Sequence, residues 1–384
     1  MKKVIVIFHD NNIKSGATAS MLSIVQYWKT HNLIEIEAII PKDKGSLGKA
    51  LGELHINYQI IDYDMVRYHV DDNIITRALK YFRGWYRFSR DIVFCLKNKN
   101  KFSHADYIYS NTSSIYFGVI LAKMSKIKHI WHFREFGFED QNCKHIIGDN
   151  NFYSMANNLS YKIIVISKSL ENKIGKYIES DKIAHIYNGI DSSSIYTKKK
   201  LFLDKRNPLK LLIVGAVIPN KGQEFVIEAL GVLKKKNIPF KLGIAGQGKS
   251  SYLEHLKEKC RILNIEDNVV FHGFVSNKNE ILSDYDISVI PSKSEAFGRV
   301  TLESMISGLL VVCSDSGANK ELVSDVNGYV YLNDNIESLV SILEKIYNED
   351  EDIKLKKVEM AKDFSAKFTV GKCAKEIHQV MGGF

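Results

Sequence analysis

What most constrains this chain is an alternation kept up along its whole length: short apolar runs rich in β-branched and aromatic residues, separated by longer amphipathic segments. "KVIVIFH", "IEIEAII", "YQIID", "DYIYSN", "KHIWHF" and "KIIVIS" recur through the first half, with patterns such as "TASMLSIVQYWKTH" between them. "LKLLIVGA", "FKLGIAG", "NVVFHGF", "DISVIPS", "LLVVCSD" and "GYVYL" repeat the arrangement in the second half, where "QEFVIEALGVLKKK" and "IESLVSILEKIY" have helical spacing. Runs without strict in-out alternation are strands covered on both faces, and strands alternating with helices form parallel sheets. An α/β fold with two doubly wound, Rossmann-like parallel sheets follows. At 384 residues the chain exceeds one typical core and fits two. The join is expected in "YTKKKLFLDKRNP", residues 196–208. The domains are then 1–195 and 205–365, with a C-terminal helix near 366–384 packing back on the first. Ligands of such sheets bind beyond the carboxyl ends of the strands, so a site is expected in a cleft that the two domains face.

The charge is unevenly spread. Residues 1–200 hold 29 Lys and Arg against 19 Asp and Glu, a balance of +10, whereas the rest of the chain is close to neutral at 24 against 25. Residues 73–102 concentrate the excess: Ile75, Leu79, Phe82, Tyr86, Ile92 and Leu96 recur at helical spacing among Arg77, Lys80, Arg83, Arg87, Arg90, Lys97 and Lys99. That composition suits a helix lying on an anionic membrane surface, and equally a helix packed on its own sheet with its basic residues in water. No nucleic-acid-binding motif accompanies the charge, so no nucleic-acid partner is expected. Five scattered cysteines without C-x-x-C spacing argue against a disulfide framework or zinc site. "MKKVIVIFHDNN" reads as a first strand, too short for a signal-peptide core, which gives a cytoplasmic expectation with peripheral membrane attachment.

Several segments can carry chemistry. No G-x-G-x-x-G or G-x-x-x-x-G-K-[ST] follows any strand, which disfavours dinucleotide dehydrogenases and P-loop enzymes. "SEAFGRVTLESM" places Glu295 and Glu303 on either side of a helix expected to begin near Gly298. Glu303 then lies roughly 7 Å along the axis, at ~1.5 Å per residue, with the positive helix end between the two acids. Lys221-Gly222 stands at a loop-to-helix junction, where an ammonium can neutralise phosphate charge, and Ser15-Gly16-Ala17 opens the helix after the first strand. Two D-x-D triplets, Asp62-Tyr63-Asp64 and Asp284-Tyr285-Asp286, are weak metal signals. His129 and His132 point to opposite faces of one strand, so no metal is expected there.

"IYNGID", "VGAVIPNKG", "IAGQG", "VVFHGFV", "PSKSEAFGRVTLESMISG", "SGANKELV" and "NGYVY" occur in an order that resembles family 4 (group 1) glycosyltransferases. "YSNTSSIYFGVILAK" and "HIWHFREF" extend the resemblance to the first domain of bacterial envelope members. The resemblance implies the two-domain GT-B architecture and a retaining enzyme. It moves a sugar from a nucleotide-diphosphate donor, UDP- or GDP-linked, to a hydroxyl of a glycan acceptor in cell-envelope polysaccharide synthesis; the basic segment 73–102 makes a lipid-linked acceptor the expectation, with a soluble acceptor as its competitor. No cofactor or metal is implied.

By the same resemblance, Glu295 approaches the donor sugar and Glu303 the ribose. Backbone amides of Phe297, Gly298, Arg299 and Val300, with Thr301 nearby, serve the sugar and diphosphate. Lys221 binds the diphosphate, Gly16 closes on the donor and Val275 lies against the base. His132 belongs to the reaction centre, and Asn111 and Arg134 to the acceptor side. The pattern departs at Ala216, where an arginine is common, and at Leu310 and Ala318, where packing variants suffice. Two alternatives stand beside transfer: a GT-B nucleotide-sugar epimerase, and a non-catalytic nucleotide-sugar-binding protein.

Overall fold

The computed structural model describes residues 1–42, 45–192, 195, 207–275 and 279–383. Of the expected join, residues 196–206 lie outside the described residues. The chain divides into two compact units, Met1–Gly189 with Phe368–Phe384, and Ile190–Lys367.

In the first unit, β1 (Lys2–Ile7), β2 (Ile34–Pro41), β3 (Asn57–Ile61), β5 (Tyr107–Ser110), β6 (Lys128–Phe133), β8 (Lys162–Val165) and β9 (Ile183–His185) form a seven-stranded sheet in the order β3-β2-β1-β5-β6-β8-β9. Every pairing in it is parallel. β4 (Arg67–His69) and β7 (Cys143–His145) pair antiparallel apart from it. The apolar runs become central strands because they are buried on both faces, Val4 and Val6 of β1 on one and Ile5 and Ile7 on the other. The helix Gly16–Thr30 packs on this core with the C-terminal helix Val370–Val380. Trp28 Nε1 donates to the Ala374 carbonyl at 2.8 Å, and Cys373, Ala374 and Ile377 are buried in the same cluster.

In the second unit, β10 (Leu209–Val214), β11 (Phe240–Ala245), β12 (Val269–Gly273), β13 (Ile287–Ile290), β14 (Leu310–Ser314) and β15 (Tyr329–Tyr331) form a parallel sheet in the order β12-β11-β10-β13-β14-β15. Each sheet reverses its strand order once, between β1 and β5 in the first unit and between β10 and β13 in the second. In open α/β sheets the crevice beyond the carboxyl ends at this reversal is where ligands bind.

The basic segment forms the helix Ile74–Asn98 followed by a 3₁₀ turn, Lys99–Phe102. Its buried residues are Gly84, Asp91 and Cys95, and a Cβ at Gly84 would stand 2.9 Å from Ile146. The apolar stripe faces outward: Ile74, Ile75, Leu79, Phe82, Tyr86, Val93 and Leu96 are 47–76% exposed. The opposite side packs on the unit through Gly84, Phe88, Asp91, Phe94 and Cys95, with the Phe88 ring 5.7 Å from Tyr116 and the Phe94 ring 5.8 Å from Phe117, and Ile92 is half-buried. No helix among the described residues is long and apolar enough to cross a membrane.

Candidate functional site

The loops after β10 and β13 are knitted together at the strand-order reversal of the second unit. Lys293 N–H donates to the Asn220 carbonyl at 3.0 Å. Gly222 has φ +70°, and a Cβ there would lie 2.1 Å from the Pro291 carbonyl oxygen. Only glycine allows this approach, and it brings the adjacent Lys221 to the second loop. Lys221 Nζ donates to Glu295 Oε2 at 2.8 Å and to Ser292 Oγ at 3.3 Å. Ser314 and Ser316 hydroxyls both hold the Ser292 carbonyl, at 2.8 and 2.7 Å. Glu295 is fixed from behind: Ala318 N–H donates to its carbonyl at 2.8 Å, and a Cβ on Gly317 would meet that oxygen at 2.2 Å.

The helix Arg299–Ser307 begins directly after Gly298, its N-cap. Its first backbone hydrogen bond runs from Leu302 N–H to the Gly298 carbonyl, and Gly298 has no side chain to cap the amides of Arg299, Val300 and Thr301 that precede it. Phe297 and Thr301 are buried, the latter with Oγ1 3.4 Å from Asn319 Oδ1, so these two residues offer the crevice their backbone. Glu303 pairs with Arg299 at 3.4 Å. Two carboxylates thus stand against two cations beside a positive helix end. Val275 packs, partly buried, against the core at the end of β12. Ala216 brings no charge; its carbonyl accepts from the buried Gln223 at 2.9 Å.

The first unit gathers its own polar group at the carboxyl ends of β1, β5 and β6. Arg134 is buried, with Nε donating to Asn111 Oδ1 at 2.9 Å and Nη1 to Asn188 Oδ1 at 2.6 Å. Asn111 Nδ2 donates to the Ala17 carbonyl at 3.1 Å, fastening β5 to the first turn of the helix that Gly16 opens. Gly16 itself is exposed, with nothing within 4 Å of where its Cβ would be. His132 is fully enclosed; Nδ1 shares a hydrogen bond with the Tyr109 hydroxyl, and Nε2 has no partner. Burial, with the Arg134 charge added, holds His132 well below the usual histidine range, so it is neutral. His129 is bound separately by Ser110 and Ser160 at 2.9 and 3.2 Å. The D-x-D acids are engaged in part by arginines: Asp62 with Arg90 at 2.9 Å and Asp64 with Arg87 at 2.8 Å. No group of three or more metal-ligating side chains occurs among the described residues.

Sequence reasoning therefore named Glu295, Lys221, Gly298, Arg299 and Glu303, which one crevice brings together, and Asn111 with Arg134, which another does. It missed Asn188 as an Arg134 partner, although "IYNGID" contains it. It also missed the His9-Asp10 pair in the loop after β1, whose signal was its place just past the first strand.

Residues 196–366 match the family described as Glycosyl transferases group 1. Over 343 residues the chain is 27% identical to an uncharacterized glycosyltransferase of Methanocaldococcus jannaschii, covering 85% of this chain and 89% of that one. Over 215 residues it is 28% identical to the Campylobacter jejuni N-acetylgalactosamine-N,N'-diacetylbacillosaminyl-diphospho-undecaprenol 4-alpha-N-acetylgalactosaminyltransferase, covering 52% and 57%. Among solved structures, Anabaena HepE in complex with UDP and glucose matches with a TM-score of 0.76 at 18% identity across 100% of both chains, a likeness of fold.

Proposed function

Because residues 196–366 match the group 1 glycosyl transferases and the chain has the GT-B fold, we propose that it is a member of that family, a retaining enzyme that moves a sugar from a nucleotide-diphosphate donor to a hydroxyl of a lipid-linked glycan. The observation that carries this reading is the crevice at the β10/β13 reversal, where Lys221, Glu295, the start of the helix Arg299–Ser307 and Glu303 follow one another. A donor lies along that line: Glu295 at the sugar, Lys221 and the first helical amides at the diphosphate, Glu303 at the ribose. Positive helix ends and lysine ammonium groups stabilise the charge that grows on a departing diphosphate. Entry of the diphosphate draws Lys221 toward phosphate oxygens and leaves Glu295 to accept from sugar hydroxyls. The complex of HepE with UDP and glucose supports a UDP-sugar as the first donor to try.

In the transfer step, the acceptor oxygen bonds to the anomeric carbon on the face from which the diphosphate leaves. The bond from that carbon to the phosphate oxygen breaks, and the acceptor proton passes to the leaving oxygen. His132, neutral and with Nε2 unpaired, is the β6 group assigned to the reaction centre; Asn111 and Arg134 serve the acceptor. A lipid-linked acceptor is supported by the diphospho-undecaprenol in the name of the Campylobacter relative. The outward apolar stripe of the helix Ile74–Asn98 supports it too, since its exposed side chains can enter the headgroup region while Arg83 and Lys97 reach anionic lipid.

The test is incubation with UDP- and GDP-linked hexoses and N-acetylhexosamines, with polyprenyl-diphosphate-linked N-acetylglucosamine in anionic vesicles as acceptor. Glycolipid product with the donor's anomeric configuration is expected. Conversion of the donor without an acceptor points to the epimerase, and binding without turnover to the non-catalytic protein.

A further inference from the structure

His132 stands next to last in β6, and the neighbouring strand decides which of its two ring nitrogens carries the proton. Tyr109 of β5 is paired with Ile130, and residues two apart on a strand share a face, so the Tyr109 phenol and the His132 ring meet on one side of the sheet. Their rings lie edge to face, 5.9 Å apart, and Trp28 closes on Tyr109 from the helix Gly16–Thr30 at 6.1 Å. Neither Tyr109 nor His132 has exposed surface. The Tyr109 hydroxyl is hydrogen-bonded to His132 Nδ1 and has no second partner among the described residues. Nε2 is buried with no partner.

A neutral imidazole has one N–H and one bare nitrogen, and a phenol has one proton to give. His132 is neutral, as its burial and the Arg134 charge require, and burial of Tyr109 keeps the phenol protonated. Two proton arrangements remain. With the proton on Nδ1, the phenol's own proton has no acceptor and Nε2 is a bare nitrogen without a donor, so two buried groups go unpaired. With the proton on Nε2, the phenol donates to Nδ1 and only the Nε2 N–H is left. The cost of one more unpaired buried group favours the second arrangement about fivefold or more. The hydrogen bond made at one imidazole nitrogen thus sets the state of the other.

Resting on the functional reading above, we propose that Tyr109 is a positioning residue that keeps His132 as its Nε2–H tautomer, so that His132 serves transfer as a hydrogen-bond donor to an electron-rich oxygen of the nucleotide-sugar, on its phosphate or on its sugar. A donor held in place away from water needs no reorganisation when charge develops on that oxygen. The same tautomer rules His132 out as the base. Nδ1 is engaged by the phenol and Nε2 already carries hydrogen, so no lone pair is left to take the acceptor proton. That proton passes to the leaving oxygen, as in the transfer step above.

Nitrogen-15 NMR of the histidine-labelled protein reads the tautomer directly, with His132→Gln identifying the His132 signals among those of the 12 histidines. A protonated Nε2 and a bare Nδ1, unchanged from pH 6 to 8, are expected; a proton on Nδ1 overturns the inference. Tyr109→Phe keeps the ring and removes the hydroxyl, so it should mix the two tautomers and lower kcat about 10-fold with the donor KM unchanged. An unmixed Nε2–H signal or a wild-type kcat in that variant removes the positioning role. His132→Gln, whose amide still donates but cannot act as a base, should keep kcat within about 10-fold of wild type, whereas His132→Leu should lose about 100-fold or more. Equal losses make His132 a base, and no loss in either makes it a core residue; both overturn the inference. If His132→Leu does not fold, the NMR measurement on the wild type still decides. Addition of UDP and then of the donor that is turned over locates the oxygen: a shift of the Nε2 signal with UDP supports phosphate, a shift only with the nucleotide-sugar supports the sugar, and no shift with either removes the contact. A wild-type protein that turns over no nucleotide-sugar overturns the functional reading, while the tautomer is judged by NMR alone.

Discussion

Lys221 and Glu295 are joined by a 2.8 Å ion pair that ties the loop after β10 to the loop after β13. Both side chains keep some exposure, 34% and 19%, so the pair itself contributes less than about 1 kcal/mol to folding. Its use is to hold a cation and an acid at set positions until a ligand separates them. Lys221→Ala should leave the melting temperature of the free protein nearly unchanged and weaken UDP-dependent stabilisation by about 10- to 100-fold in affinity. Glu295→Gln should bind UDP as the wild type does and slow transfer severely. Thermal shift with UDP and a turnover assay check both. A Lys221→Ala protein that melts far lower yet binds UDP normally would make the pair structural.

Two glycines should separate folding from ligand space. Gly222→Ala drives a Cβ into the Pro291 carbonyl at positive φ and should cost about 1–3 kcal/mol, read as a lower urea midpoint. Gly16→Ala meets nothing within 4 Å, so its stability should stay within about 0.5 kcal/mol of wild type. Any loss of turnover in Gly16→Ala then reports contact with a ligand. Loss of stability in Gly16→Ala would contradict the open space around that residue.

Asp91 makes part of the stability fall with rising pH. Burial pushes its carboxyl up to about 7 from an ordinary 3.8, only partly opposed by Arg90. Between these values the folded protein holds a proton that the unfolded chain has lost. The contribution is therefore fully present below about pH 4 and shrinks as pH rises toward 7, by up to about 1.4 kcal/mol per pH unit. Asp91→Asn should remove this component. Urea denaturation from pH 4 to 8 should show the variant gaining on the wild type as pH rises, and parallel curves would overturn the assignment.

Apart from β9, whose three residues are only half-buried, the strands of the two sheets were legible because apolar runs mark parallel strands, and each of the twelve runs quoted from the sequence contains one. β4 and β7 were not, since Arg67-Tyr68-His69 and Cys143-Lys144-His145 are mixed triplets that pair across more than seventy residues of chain. The start of the helix after Gly298 could be read because glycine marks that junction. Which cation faces which acid could not: spacing places Glu295 and Lys221 on loops, while the approach of Gly222 to Pro291 is what brings them within 2.8 Å. The enclosure of His132 by Tyr109 likewise depends on the neighbouring strand.

The helix Ile74–Asn98 shows the same limit most sharply, because periodicity reveals a stripe but not the direction it faces. With the stripe turned to solvent, membrane attachment becomes separable from folding. Leu79→Asp with Phe82→Asp alters two exposed side chains, so the melting temperature should change little. Binding to vesicles containing anionic lipid should be lost, since these residues supply apolar burial and new carboxylates oppose the surface potential. Arg83→Glu with Lys97→Glu should weaken binding by about 1 kcal/mol per charge removed, and more at low salt than at high. Sedimentation with neutral and anionic vesicles distinguishes the two contributions. If the wild type fails to sediment with anionic vesicles even at low salt, the stripe does not serve a membrane, and the lipid-linked acceptor loses its structural support.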